Sequence, residues 1–159
     1  MDEARSFRRF ALGLGGLVAV LVLVPLALQF SAASGSGTWV LGYPYNSDDH
    51  MVYAAWMRQA AEGRFLFENR FTLDPQPGLT LNLFYLVLGW LSVVLGTLGA
   101  TVLAQIGFAF AVPLLAADLI GRWTEDATTR RVALVLALFG AGLGFLQFRA
   151  LAFQVDRAG

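Results

Sequence analysis

Residues 10–30, FALGLGGLVAVLVLVPLALQF, carry no charged side chain. Crossing the hydrocarbon core of a bilayer takes about 20 predominantly apolar residues, and this run supplies them. Two later stretches, 79–97 (LTLNLFYLVLGWLSVVLGT) and 100–121, repeat the pattern, and a fourth begins at residue 132 and continues past Arg149 to 155. A chain built this way is excluded from most soluble architectures. The composition agrees, with 57% hydrophobic and 14% charged residues, against about 45–50% and about 25% in a typical soluble domain. The expected fold class is therefore all-α: a polytopic membrane protein with four transmembrane helices, at 10–30, 79–97, 100–121 and 132–155.

Residues 1–9 form a short tail with Arg5, Arg8 and Arg9 beside Asp2 and Glu3. A basic flank before the first span places the tail in the cytoplasm. A cleaved signal peptide ending near Ser31-Ala32-Ala33 is the rival reading, but the apolar run exceeds the usual h-region of about 7–15 residues. Counting spans from there puts loop 31–78 outside, a tight turn at 96–99 inside and loop 122–131 outside. Arg122, Arg130 and Arg131 oppose the last assignment, since short loops rich in arginine favour the cytoplasm. Within the spans, Asn82 needs a hydrogen-bond partner and Pro113 is a kink site. Asp118 is a functional candidate by position, although Arg122 lies one turn away and suits an ion pair. Gly140 and Gly144 have the spacing that lets helices approach closely.

The one long polar interval lies between the first two spans. Residues 31–38, SAASGSGT, read as a flexible connector, followed by Trp39, Tyr43 and Tyr45, aromatics suited to the membrane–water interface, with Pro44 breaking regular structure. Ser47 or Asp48 can cap a helix over 49–62 that stops at Gly63. Val52, Tyr53, Trp56 and Ala60 share one side of it, while Arg58, Gln59 and Glu62 lie largely opposite. Such a helix is too short and too charged to span. It is expected to lie in the interface with its aromatic side toward lipid; the alternative is a solvated helix packed on a neighbouring element. Residues 65–78, FLFENRFTLDPQPG, break at Pro75, Pro77 and Gly78 and are expected to be irregular, with Phe65, Phe67 and Phe71 at headgroup depth.

Candidate chemistry concentrates in the same interval. There is no cysteine and a single histidine, so thiolate chemistry and a multi-histidine metal site are excluded within one chain. A net charge of zero argues against nucleic acid as a partner. No phosphate-cradling glycine loop, GxSxG, HExxH or CxxC motif occurs. What remains is the pair Asp48-Asp49 with His50. An acid here can act as general base, can help hold a hard divalent cation, or can serve only as a helix cap. His50 is a hydrogen-bonding or interfacial residue in the plainer reading. Arg58, Arg64 and Arg70 lie on the same loop, where guanidinium groups grip phosphate or simply anchor to headgroups.

The stretch SDDHMVYAAWMRQAAEGRFLFENRFT followed by PQPGLTLNLFYLVLG resembles the first-loop region of GT-C membrane glycosyltransferases. These enzymes have a first span, a large outer loop with an acidic motif and interfacial helices, then closely spaced spans. The resemblance implies that the chain is the N-terminal portion of a longer bacterial inner-membrane enzyme. It implies transfer of a sugar from a polyprenyl-phosphate donor to a hydroxyl acceptor at the outer face. Asp48 and Asp49 match the family's catalytic carboxylate; on the residue reading the same acids are the candidate ligands for Mg²⁺ or Mn²⁺, and His50, Arg58, Arg64 and Arg70 become candidate substrate contacts. Partners would be membrane lipid, the polyprenyl-linked donor, and the remaining helices or a partner subunit. A small non-enzymatic membrane scaffold or transporter subunit is the alternative.

Overall fold

A computed structural model of the chain describes residues 2–34, 47–74, 77–78 and 80–140, with Asp2, Ser47 and Asp48 described by their backbone. Trp39, Tyr43, Pro44, Tyr45, Pro75, Gly144 and the rest of the fourth run beyond residue 140 lie outside these residues. The described chain is helical: α1 (Asp2–Ala33), α2 (Ser47–Ala61), α3 (Leu83–Gly121) and α4 (Ala127–Phe139). Among the described residues there is no strand, and one isolated antiparallel bridge joins Phe67 to Thr80. Two helices, α1 and α3, are long and apolar enough to cross a membrane.

Local sequence sets most of the helix ends. α1 absorbs the charged tail and the small residues 31–33, and the Ser34 hydroxyl donates to the Phe30 carbonyl at 2.8 Å where it stops. α3 begins at Leu83 rather than residue 79. The Asn82 side-chain oxygen accepts from the backbone N–H groups of Phe84 at 3.1 Å and Tyr85 at 3.3 Å, so the polar side chain in the apolar run is the helix cap. The Asp126 carboxylate caps α4 by accepting from the Thr129 N–H at 2.7 Å. That backbone hydrogen bond is the main reason its carboxyl is held below the ordinary aspartate value. The cap's contribution is therefore present above the usual carboxylate range and is lost as pH falls through the lowered value.

α3 unites the two expected spans 79–97 and 100–121, and it does so around Gly96. Gly96 has φ 70° and ψ 164°, a combination open essentially to glycine alone. Residue 97 onward is helical again, so one residue makes the turn, and Pro113 sits inside the helix with no departure from helical dihedrals. The Phe84 and Phe108 rings, equidistant in sequence from Gly96, lie 5.7 Å apart. On a straight helix those residues would be about 36 Å apart. The two arms, 83–95 and 97–121, are thus an antiparallel hairpin. The first arm is only about 20 Å long and the second about 37 Å.

The chain divides into two compact units, Met1–Val18 with Ala109–Gly159, and Ala19–Phe108. In the first, Phe7, Ala11, Ala117 and Leu134 form a small core joined by Phe10, Leu14, Leu114 and Leu138. Arg131 donates to the Ser6 hydroxyl at 3.3 Å and its guanidinium lies 5.8 Å from the Phe10 ring centroid. Arg130 donates to the carbonyls of Thr124 at 2.6 Å and Gly121 at 3.1 Å, satisfying acceptors that the end of α3 leaves open. Arg122 pairs with Asp118 at 2.6 Å, the terminal ion pair that their spacing suggests. The N-terminal tail and loop 122–131, which the span count assigns to opposite faces, are therefore neighbours.

In the second unit α2 packs on the hairpin. Met57, Leu88 and Ala100 are buried together, with Tyr85, Leu91 and Ala104 around them. Ala60, Phe67 and Leu86 form an adjoining cluster with Trp56. The approach is closest at Gly89, where an added Cβ would stand 2.5 Å from the Met57 carbonyl oxygen and would collide with the Ala60 methyl. Gly107, in the second arm, has nothing within 4 Å of the same position. Gly89→Ala should therefore lower unfolding stability in detergent by about 1–3 kcal/mol. Gly107→Ala should be neutral or raise it slightly, because alanine is the better helix former. Equal melting temperatures for the two variants would contradict this packing.

Candidate functional site

The acids stand in the first turn of α2. The helix is already formed at Ser47, so Asp48 and Asp49 lie inside it rather than preceding it as caps. A carboxylate in a first turn complements the positive end of the helix dipole. Asp49 is exposed; the Asp48 side chain lies outside the described residues. His50 follows, half-buried, with its ring edge-on to Tyr53 at 6.1 Å.

From His50 an aromatic series runs down the helix into the hairpin. Tyr53 stacks on Tyr85 with centroids 4.7 Å apart and 13° between planes. Trp56 meets Tyr85 edge-on at 5.7 Å and stacks on Phe67 at 5.9 Å. The side of α2 formed by Tyr53, Trp56 and Ala60, expected to face lipid, thus meets the first arm of α3 and Phe67. Aromatic pairs contribute about 0.5–1.5 kcal/mol each beyond the area they bury, so this series stabilises the packing of α2 on α3 and Phe67.

The far end of α2 is held differently. Gly63 has φ 87°; its N–H bonds to the Ala60 carbonyl at 3.0 Å, and the Arg64 N–H bonds to the Gln59 carbonyl at 3.0 Å. This paired closure of a helix end needs a residue that tolerates positive φ. Gln59 does more. Its side chain is fully buried, donating to the Glu68 carbonyl at 3.1 Å and accepting from the Glu68 N–H at 2.8 Å. The amide takes the place of a neighbouring strand and ties the loop back onto the helix. Beyond it, Phe67 is buried and exchanges backbone hydrogen bonds with Thr80, whereas Phe65 and Phe71 remain exposed. The sequence reading put Gln59 on the polar side. Its position three residues after Trp56, at the edge of the apolar stripe, is the signal that marks it as inward-facing.

The three arginines gather at this far end, each beside a glutamate. Glu62 receives Arg58 at 3.3 Å and Arg70 at 3.4 Å, and Arg64 pairs with Glu68 at 2.5 Å. All are exposed pairs, worth at most about 1 kcal/mol each, so a phosphate can compete for these guanidinium groups. They do not converge with the acids. Nine residues of helix separate Asp49 from Arg58, a rise of about 13 Å, and Arg64 and Arg70 lie past the helix end. No set of three or more Asp, Glu, His or Cys side chains suited to a metal ion occurs among the described residues.

The buried amide gives a direct test. Gln59→Leu leaves the Glu68 N–H and carbonyl without partners, at a cost of about 1–3 kcal/mol. The loop should then open, and trypsin should cut faster after Arg64 and Arg70 than in the parent protein. Unchanged cleavage at both sites would show that the amide does not hold the loop.

Comparison of the chain with protein-family models, with curated proteins and with solved structures finds no match.

Proposed function

We propose that this chain is the membrane-embedded N-terminal part of a glycosyltransferase that uses a polyprenyl-phosphate sugar, with α2 presenting its acids at the outer face of a bacterial inner membrane. The membrane arrangement is supported first. Ser6 and Arg131 are hydrogen-bonded, and residues in contact occupy one face of a bilayer. An even number of crossings therefore separates them. Of α1 and the two arms of α3, the first arm, at about 20 Å, is too short for a hydrocarbon core of about 30 Å. The full crossings before loop 122–131 are then α1 and the second arm. This arrangement brings Arg5, Arg8, Arg9, Arg122, Arg130 and Arg131 to one side, as the positive-inside rule favours. It removes the conflict that four evenly counted spans create.

The position of α2 fits the same frame. The Met57 sulfur lies 4.0 Å from the Thr101 hydroxyl, so α2 is held against the second arm within its own unit. In chain order α2 follows one full crossing, α1, so a cytoplasmic tail would put it on the outer side. The N-terminal end of this helix is the single observation that carries the catalytic reading: an exposed Asp49 beside Asp48 at the start of a helix packed on α3.

In the proposed reaction Asp48 or Asp49 takes the proton of an acceptor hydroxyl. The hydroxyl oxygen attacks the sugar's anomeric carbon, and the polyprenyl phosphate leaves with the bonding pair. Consecutive helix residues do not face each other, so a hard cation, Mg²⁺ or Mn²⁺, would be held by one of Asp48 and Asp49 together with oxygens from outside α2, and it would offset the charge of the phosphate. His50 would hydrogen-bond the sugar or acceptor. Arg58, on the same helix, is the nearest arginine by position to a departing phosphate, and Arg64 and Arg70 form the rim beyond. The pairing of all three arginines with glutamates supports a second reading, a non-enzymatic membrane scaffold or transporter subunit.

Two experiments test these proposals. In the cysteine-free background, Glu3→Cys and Thr128→Cys should both resist an impermeant thiol reagent in intact cells, while Leu73→Cys should react. Opposite outcomes for residues 3 and 128 would overturn the two-crossing arrangement. In the longer enzyme, Asp48→Asn and Asp49→Asn should each leave stability within about 1 kcal/mol, and one of them should lower sugar transfer by about 10²–10⁴-fold. Retention of full transfer by both variants would reject the acids as base, and no transfer from any polyprenyl-linked sugar by the parent enzyme would favour the scaffold.

A further inference from the structure

A cleft of about 440 Å³ opens in the unit formed by residues 1–18 and 109–159, between the first turns of α1 and the last turns of α3. Its volume falls in the range of small-molecule sites, about 300–1,000 Å³. One wall is apolar, formed by Phe7, Leu114 and Leu115, and Leu115 is 71% exposed. The rim carries Arg8, Asp118 and Arg130.

The charges on that rim do not cancel. Asp118 is already answered by Arg122 at 2.6 Å. Arg130 bonds to two backbone carbonyls, of Thr124 and Gly121, which orient its guanidinium without neutralising it. Arg8 is exposed and makes no ion pair among the described residues. Two uncompensated guanidinium groups therefore stand above an aliphatic wall. A free inorganic phosphate would answer the charge and leave Leu114 and Leu115 uncovered. A zwitterionic lipid would cover the wall and leave net positive charge. A lipid with a net anionic phosphodiester headgroup meets both requirements, since Arg grips phosphate oxygens bidentately and an acyl chain covers the leucines. Basic pockets between membrane helices on the cytoplasmic side are the usual place for such headgroups.

We infer that this cleft binds the headgroup of an anionic phospholipid, with Arg8 and Arg130 on the phosphate and an acyl chain along Leu114 and Leu115. The inference rests on the membrane arrangement proposed above and is independent of the transferase chemistry. It gives the arginines of the tail and of loop 122–131 a shared ligand, so the lipid would strengthen the junction that Ser6 and Arg131 begin.

The test uses the protein purified in neutral detergent, with bound lipid read by native mass spectrometry. Phosphatidylglycerol should bind in preference to phosphatidylcholine, and millimolar inorganic phosphate should not displace it. Arg8→Gln should weaken phosphatidylglycerol binding about tenfold, the loss expected for one charge-assisted contact. Arg8→Lys should fall between, keeping charge without the bidentate fork. Equal binding of the two lipids, displacement by inorganic phosphate, or an unchanged affinity in Arg8→Gln would each overturn the inference. Carbonate extraction of membranes separates the two proposals. A parent protein that stays in the membrane but shows no lipid preference refutes the cleft alone, whereas one that washes off refutes the membrane arrangement itself.

Discussion

The reversal at Gly96 is the constraint on which the second unit depends. A residue with a side chain meets severe steric cost at φ 70° and ψ 164°, so the turn belongs to that glycine. Once the chain reverses there, the first arm lies along the second, and the rings of Phe84 and Phe108 come within contact distance. The exposed side of that hairpin is what α2 covers. Without the reversal, α3 would be one apolar rod of 39 residues, about 58 Å long and far beyond any bilayer.

The hairpin and α2 meet through a division of labour between small and aromatic residues. At Gly89 and Ala60 the backbones approach closely, which small residues permit. Farther toward the helix start, Tyr53, Trp56 and Tyr85 fill the widening gap with stacked and edge-on rings. The buried Gln59 then closes the loop, and its two hydrogen bonds to the Glu68 backbone satisfy groups that would be costly to bury unpaired. The acids stand at the start of the helix that this packing holds.

The other unit is organised by charge at a helix end. Arg122, Arg130 and Arg131 each have a distinct partner: a carboxylate, two terminal carbonyls, and a hydroxyl with an aromatic face. Together they join the start of α1, the end of α3 and the start of α4. The contact between Ser6 and Arg131 bears on topology more than any hydropathy count, because it links segments 125 residues apart.

What the sequence determined by itself is the helical class, the long apolar character of α1 and α3, and the local signals at Gly63 and the Asp118–Arg122 pair. These are legible because length, composition and capping act over a few neighbouring residues. The turn near 96–99 was also visible, although its single-residue form was not. Only the tertiary structure decided that the 83–95 arm is about 20 Å long, that Gln59 turns inward, that the aromatic side of α2 meets protein, and that the arginines stand away from the acids. Each of these depends on which distant residues share a surface: Gly89 with Met57 and Ala60, Glu68 with Gln59, Ser6 with Arg131. Periodicity along one helix says which side is apolar and is silent on what covers it, because lipid and a neighbouring helix present the same apolar surface.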